Sequence, residues 1–272
     1  MENNQKPQIL LTNDDGIHSP GLWAAAEVLE TLGFVHVVAP REQYTSTGRS
    51  LPHTSDGIIE PRTLIVKGRQ WTVYAVGGSP AQTVLHGVLE IIKAKPALVV
   101  SGINYGENVA SGVTISGTVG AALEAATLGI PALAMSLQTL PKDHFSLSPE
   151  VDFSTAAYFT GFFAEKMINT HLPFDVDVLK VDVPSNATTE TPWKVTRQSR
   201  ERYYHPFPAD RISLQDPGTM NYDARIDLDH PEEDSDLSAV LLQHLVSVTP
   251  LSFDLTSRVD RGELENLLRG RS

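Results

Sequence analysis

Gln8-Ile9-Leu10-Leu11-Thr12 runs directly into Asn13-Asp14-Asp15-Gly16. The first five residues form a short, continuously apolar run, the pattern of a parallel strand buried on both faces. The next four are turn formers. From Ser19-Pro20 a helix is expected, with serine as cap and proline in the first turn. Leu22, Ala25, Ala26, Leu29 and Leu32 recur at helical spacing, and Gly33 is the expected end. Residues 35–39 then read as a second strand, stopped by Pro40.

The same alternation continues downstream. Residues 41–62, rich in Thr, Ser, Gly and Pro, read as loop, and 64–67 with 71–76 read as a hairpin around Gly68-Arg69. Ser79-Pro80 opens a second helix expected to reach residue 93, and 97–103 is a third parallel strand. A glycine-rich loop leads to Ser116-Gly117-Thr118 and a third helix ending at Gly129, followed by a strand over 132–137. Repeated strand–helix units with right-handed crossovers define an α/β fold: a Rossmann-like, mostly parallel sheet flanked by helices.

After residue 138 the pattern changes. A helix is expected over 153–169, a strand over 176–183, a strand over 246–249 and a short helix over 263–268. Residues 193–235 are polar with many Pro, Tyr and Asp, which suits a protruding β-hairpin and loop. The expected division is a catalytic core over 1–190, with the protruding hairpin and C-terminal segment over 191–272 in the same domain.

Composition narrows the function. The chain of 272 residues, 41% hydrophobic and 20% charged, can build a sizeable core without staples, and it has no cysteine. A net charge of −12 disfavours a nucleic-acid partner. No run approaches the roughly 18–20 apolar residues of a membrane span, and residues 1–7 have no apolar leader segment. A cytoplasmic protein with no membrane partner is expected.

Ligands of open α/β sheets bind beyond the carboxyl ends of the strands. Three loops there carry oxygen donors: Asp14-Asp15; Thr45-Ser46-Thr47-Gly48; and Ser101-Gly102-Ile103-Asn104 with Ser116-Gly117-Thr118. Two adjacent carboxylates repel, and a hard divalent cation removes the conflict. Asp14, Asp15, a loop hydroxyl and Asn104 would make such a set, although Asn-Asp-Asp-Gly alone also reads as a plain capped turn. Ser116-Gly117-Thr118 before a helix suits an anion, or simply a capped helix. Walker, Gly-x-Gly-x-x-Gly, His-Glu-x-x-His and Gly-x-Ser-x-Gly patterns are all missing. His18 lies near the acidic turn, where a lone histidine is more often a surface residue. Tyr203, Tyr204, His205 and Tyr222 could stack on a base, bury a partner interface or fill a small local core.

Taken in order, these segments resemble the SurE family (survival protein E, the 5′/3′-nucleotidases). The likeness is carried by 11–16 (Leu-Thr-Asn-Asp-Asp-Gly), by Ala39-Pro40 with a hydroxyl loop and Gly48, and by Gly77-Gly78-Ser79-Pro80-Ala81. It continues in 101–108 (Ser-Gly-Ile-Asn-Tyr-Gly-Glu-Asn), in 116–122 (Ser-Gly-Thr-Val-Gly-Ala-Ala) and in 246–251 (Val-Ser-Val-Thr-Pro-Leu). Thr45 and Ser79 depart from the family's usual Ser and Thr.

The resemblance implies a metal-dependent phosphomonoester hydrolase acting on nucleoside 5′- and 3′-monophosphates, with one divalent ion per subunit, Mg²⁺ or Mn²⁺. The ligands fall on Asp14, Asp15, Thr45 and Asn104, with Ser46 as a substitute for Thr45. Asp14 and Asp15 are the expected catalytic residues. Ser116, Gly117 and Thr118 would hold phosphate oxygens, and Asn13 and Asn108 would orient the ligands. Direct attack by water is expected over a phospho-aspartyl intermediate. A homodimer or homotetramer with a C-terminal oligomerisation segment is implied. The alternative is a nucleotide sensor that binds without hydrolysis and has no need of the Asp pair.

Overall fold

The computed structural model describes residues 6–226 and 232–270. The reading of residues 1–5, and the 227–231 part of the expected excursion, lie outside the described residues. The main elements in chain order are β1 (Gln8–Thr12), α1 (Pro20–Leu29), β2 (Phe34–Pro40), β3 (Ile59–Val66), β4 (Arg69–Val76) and α2 (Pro80–His86). They continue with β5 (Leu98–Tyr105), α3 (Gly117–Thr127), β6 (Ala132–Leu137), α4 (Ser154–Asn169) and β7 (Val178–Val183). β8 (Trp193–Val195), β9 (Tyr204–Phe207), β10 (Asn221–Ala224), α5 (Asp236–Leu241), β11 (Val246–Leu251) and α6 (Arg261–Leu268) complete the chain.

One nine-stranded sheet runs β3-β4-β2-β1-β5-β6-β7-β11-β8, and β9 pairs with β10 in a separate hairpin. From β4 to β7 every neighbouring pair is parallel. β3 closes one edge antiparallel to β4, and β11 lies antiparallel to β7. The chain leaves β1 toward β2 on one side and later returns to β5 on the other. The order therefore reverses between β1 and β5, which opens a crevice beyond their carboxyl ends.

β1 shows why the sheet is buried on both sides. Ile9, Leu10 and Leu11 are all fully buried, yet they serve different layers. Ile9 and Leu11 pack with Leu22, Trp23, Phe159 and Phe163 of α1 and α4. Leu10 points the other way, onto Val84 of α2 and Ala122 and Ala125 of α3. Side chains alternate along a strand, so a continuous apolar run is what two covering layers require. A third, small cluster joins Val109 and Ala110 to Tyr203, Leu237 and Val240. It anchors the root of the excursion to the loop after β5.

Local chemistry sets the helix starts. Ser79 caps α2 reciprocally with Gln82, and Ser116 caps α3 through the Val119 N–H. The helix ends differ from expectation. α1 stops at Leu29 because Thr31 donates both its N–H and its hydroxyl to Val28 O, tightening the last turn. α2 widens after His86 into a π-helical turn, Gly87–Ile91. Trp193 does not begin the protrusion. β8 joins the main sheet beside β11, and the Trp193 ring packs edge-on against Phe163 with centroids 5.8 Å apart. Aromatic contact and a free sheet edge outweigh the polar composition of that stretch.

Truncating Leu10→Ala should destabilise the fold by about 2–5 kcal/mol, since a cavity opens between sheet and helices. Leu89→Ala, at a residue 69% exposed, should stay within about 0.5 kcal/mol. Urea denaturation of both variants checks the contrast.

Candidate active site

The acidic turn is fixed by its own first residue. Asn13 Nδ2 donates to Gly16 O at 3.0 Å, and Gly16 N returns the bond to Asn13 Oδ1 at 3.2 Å. Gly16 has φ +93°, a left-handed backbone that suits glycine. Tyr44 N donates to Asp14 O at 2.7 Å, which docks the loop after β2 against the turn.

Asp14 and Asp15 are 3% and 2% exposed. Thr118 Oγ1 donates to Asp14 Oδ1 at 2.6 Å, and the N–H groups of Gly117 and Thr118 face the same carboxylate. The start of α3 thus presents its free amides to Asp14. Gly117 is required for that approach, because a Cβ there would lie 2.7 Å from Asp14 Cβ. Asp15 Oδ1 accepts from Gln43 Nε2 at 3.0 Å, and Asp15 Oδ2 accepts from Tyr105 N at 3.3 Å. Gln43 Nε2 also donates to His144 O at 2.9 Å, so one amide ties the acidic turn to the segment after β6.

Burial pushes the Asp14 carboxyl up to about 6, against the pull of Thr118. Asp15 is raised well above the ordinary range, first by burial and then by the Asp14 charge. These donors do not remove the penalty of two carboxylates out of water.

A cavity of about 110 Å³ opens on Asp14. Asp14, Thr45, Ser46, Asn104, Asn108 and Ser116 line it, all on loops the sequence points to. Asp15, Asn13, Gly117 and Thr118 stand behind that wall. The Thr118 hydroxyl is already given to Asp14, so of the three expected phosphate contacts only Ser116 faces the cavity. Asn104 spends its Nδ2 on Tyr105 O and Gly106 O, leaving Oδ1 free to coordinate. Thr47 donates to Tyr44 O, while the Thr45 and Ser46 hydroxyls have no hydrogen-bond partner among the described residues. Among the described residues no Lys or Arg lines the cavity.

Two carboxylates, an amide oxygen and a hydroxyl are the donors a hard divalent cation takes. Among the described residues no cluster of three or more His, Cys, Asp or Glu side chains forms a cage. The amide and hydroxyl oxygens are therefore needed to complete the set.

Several lining residues have a place that the sequence left open, as for Tyr204 and Tyr222, or did not show, as for His144 and Glu107. Tyr204 and Tyr222 form an aromatic wall, with ring centroids 5.1 Å apart. Tyr204 OH donates to Glu107 O at 3.1 Å, and Tyr222 OH pairs with His144 Nδ1 at 3.1 Å. His144 is the histidine at the cavity, whereas His18 is exposed. Glu107 is 4% exposed and its carboxyl is raised by burial. No sequence pattern links these residues, which meet only through the hairpin. A larger cavity of about 390 Å³ lies beside Ala97, Pro131 and Val176, just before β5, β6 and β7. It is at the amino ends of the strands, away from the paired carboxylates.

Fold and site together define a layered α/β protein with a carboxylate pair at the switch point of its sheet. The model of the family "Survival protein SurE" matches residues 9–205. A 5′-nucleotidase SurE of Thermococcus gammatolerans is 40% identical over 265 residues, covering 97% of each chain. Its counterpart in Archaeoglobus fulgidus is 42% identical over 270 residues, covering 97% of this chain and 98% of its own. The crystal structure of the SurE protein from Aquifex aeolicus superposes with TM-score 0.74 at 34% identity, covering 96% of this chain and 100% of that one. The chain belongs to the SurE family.

The carboxylate pair makes a stability prediction. A folded-state value above the unfolded one means that stability is present below the unfolded value of 3.8 and is lost as pH rises through about 6. Asp14→Asn keeps an oxygen for Thr118 and removes that loss. In EDTA at about pH 8 the variant should be more stable than the parent by on the order of 2 kcal/mol, with the gap closing near pH 4. Thermal melts across pH check this, and a gap that widens toward acid contradicts it.

Proposed function

We propose that this protein is a metal-dependent phosphomonoester hydrolase releasing phosphate from nucleoside 5′-monophosphates, with 3′-monophosphates as further substrates. One divalent cation per subunit, Mg²⁺ or Mn²⁺, completes the site. One observation carries the reading: among the described residues, a cavity lined by Asp14 and Glu107 offers no Lys or Arg to a phosphate. An anion enters such a place only with a cation. The names of the SurE relatives support nucleotides as the substrates.

Asp14, Asp15 and Asn104 would hold the cation with a hydroxyl from Thr45, or from Ser46 beside it. When bound, such an ion supplies positive charge that polarises the phosphoryl group and acidifies water. Thr118 and the α3 amides orient Asp14; Gln43 and the Tyr105 N–H orient Asp15. Ser116 Oγ accepts from Val119 N, so its proton is free to donate to a phosphate oxygen. Asn13 locks the turn, and Asn108 borders the phosphate from the opposite loop. The Tyr204 and Tyr222 rings, set edge-to-face, offer apolar surface to the nucleoside. Water attacks phosphorus, the bond to the sugar oxygen breaks, and inorganic phosphate leaves with the nucleoside.

The core over 1–190 supplies these donors, and the segment over 191–272 supplies the aromatic wall and a subunit contact in a homodimer or homotetramer. Supporting that contact, no residue of α6 is buried, and Leu255, Leu267 and Leu268 are exposed. We place the protein in the cytoplasm. No helix among the described residues is long and apolar enough to cross a membrane.

Asp14→Asn and Asp15→Asn should each nearly abolish phosphate release from a nucleoside monophosphate panel with Mn²⁺ or Mg²⁺, as should EDTA. A sensor would bind the nucleotide and release none. Thr45→Ser should keep most activity, while Thr45→Val should lose about tenfold or more (~1.4 kcal/mol) and need more metal. If Ser46→Ala is the crippling change and Thr45→Val is silent, Ser46 is the ligand. Light scattering at micromolar concentration should give a dimer or tetramer; a monomer refutes the subunit contact.

A further inference from the structure

Lys180 lies in the middle of β7, fully buried and outside the cavity. Its Nζ donates to Asp182 Oδ2 at 2.5 Å and lies 3.1 Å from Asp236 Oδ2. Both carboxylates are fully buried as well. A buried ion set adds little net stability over apolar side chains of similar volume. What this one adds is position. Asp182 Oδ1 accepts from Asn108 N at 2.7 Å, and Asp236 Oδ2 accepts from Ala110 N at 3.2 Å. The other oxygen of Asp236 accepts from Ser199 N at 2.9 Å, at the root of the excursion.

The two carboxylates thus hold alternate N–H groups of one loop. That loop carries Asn108 to the cavity wall, where Asn108 Nδ2 also bonds Ser136 Oγ at 2.9 Å. Neither Lys180, Asp182 nor Asp236 lines the cavity, so whatever they do for the reaction passes through the loop.

We propose that Lys180 is a positioning residue for phosphoryl transfer: its ammonium clamps Asp182 and Asp236 side by side, and they in turn hold Asn108 against the substrate phosphate. The inference rests on the phosphatase reading above. Without the ammonium nothing ties the two side chains together, and the N–H groups they hold lose their fixed spacing. A displacement of about 1 Å at a substrate-positioning group costs on the order of a hundredfold in rate.

Lys180→Met alone leaves two buried carboxylates without a counter-charge, a change that confounds folding with catalysis. The informative variant is Lys180→Met/Asp182→Asn. It leaves the net charge of the buried set unchanged, and the new amide oxygen can still accept from Asn108 N. Phosphate release from a nucleoside 5′-monophosphate is measured first in the parent with Mn²⁺. Absence of turnover there refutes the phosphatase reading itself, and the inference with it.

Given an active parent, the double variant should lose about tenfold or more in kcat while the Mn²⁺ concentration for half-activation is unchanged. Asn108→Ala should cost about a hundredfold in the parent and only about tenfold in the double variant, leaving the triple variant no worse than Asn108→Ala alone, because Lys180 acts through Asn108. Full kcat in the folded double variant, or losses that simply multiply, overturns the inference while leaving the phosphatase reading intact. Amide hydrogen exchange in the parent tests the clamp without any substitution. The Asn108 and Ala110 amides should be as protected as those of β7, and exchange at the rate of an open loop overturns the clamp.

Discussion

Two carboxylates adjacent in sequence and out of water form the constraint on which this structure turns. Asp14 and Asp15 cannot both be ionised there without compensation. The neighbourhood answers with dipoles: the start of α3, the Thr118 hydroxyl, the Gln43 amide and the Tyr105 N–H. Each requires a particular arrangement of the sheet. α3 reaches Asp14 because residue 117 is glycine, and Tyr105 reaches Asp15 because β5 is the parallel neighbour of β1. The dipoles temper the repulsion without cancelling it. A deficit of positive charge remains at the pair, and the proposed function assigns it to a cation.

The contrast with Lys180 is instructive. There the deficit is met by a covalent part of the chain, and the three side chains are fully buried. At Asp14 the deficit is left open to the cavity. Buried charge is balanced within the chain in one place and left facing a cavity in the other, and the difference lies in whether a cationic side chain is built in.

Much of this was legible in the sequence, for identifiable reasons. The run of residues 8–12 has no polar alternation, so it had to be covered twice, and its two faces do meet two helix layers. Asp14, Asn104, Asn108 and Ser116 stand at strand ends or helix starts, where topology alone brings them together. Gln43, His144, Tyr204 and Tyr222 were not legible as a group. Their meeting depends on how the hairpin folds back over the strand ends, which no local period records. Lys180 was hidden for another reason. A lysine in a strand ordinarily reads as solvent-facing, and its carboxylate Asp236 is remote in sequence. Thr118 shows a subtler limit: the motif located the hydroxyl, but only the structure directs it to Asp14 instead of the cavity.

The place of β11, between β7 and β8, bears on how the molecule is made. A ribosome delivers β7 well before α5 and β11, so Lys180 emerges with Asp182 at hand and Asp236 still unsynthesised. Domains assemble from the N-terminal side as translation proceeds, yet this sheet cannot be finished in that order. Its growing edge at β7 carries an ammonium and unpaired strand amides until nearly the whole chain has emerged. A nascent chain truncated before α5 therefore keeps a charged, open edge, which discourages strand-to-strand association with its neighbours. Pairing on the free side of β7 therefore waits for β11, and the second partner of Lys180 waits for α5.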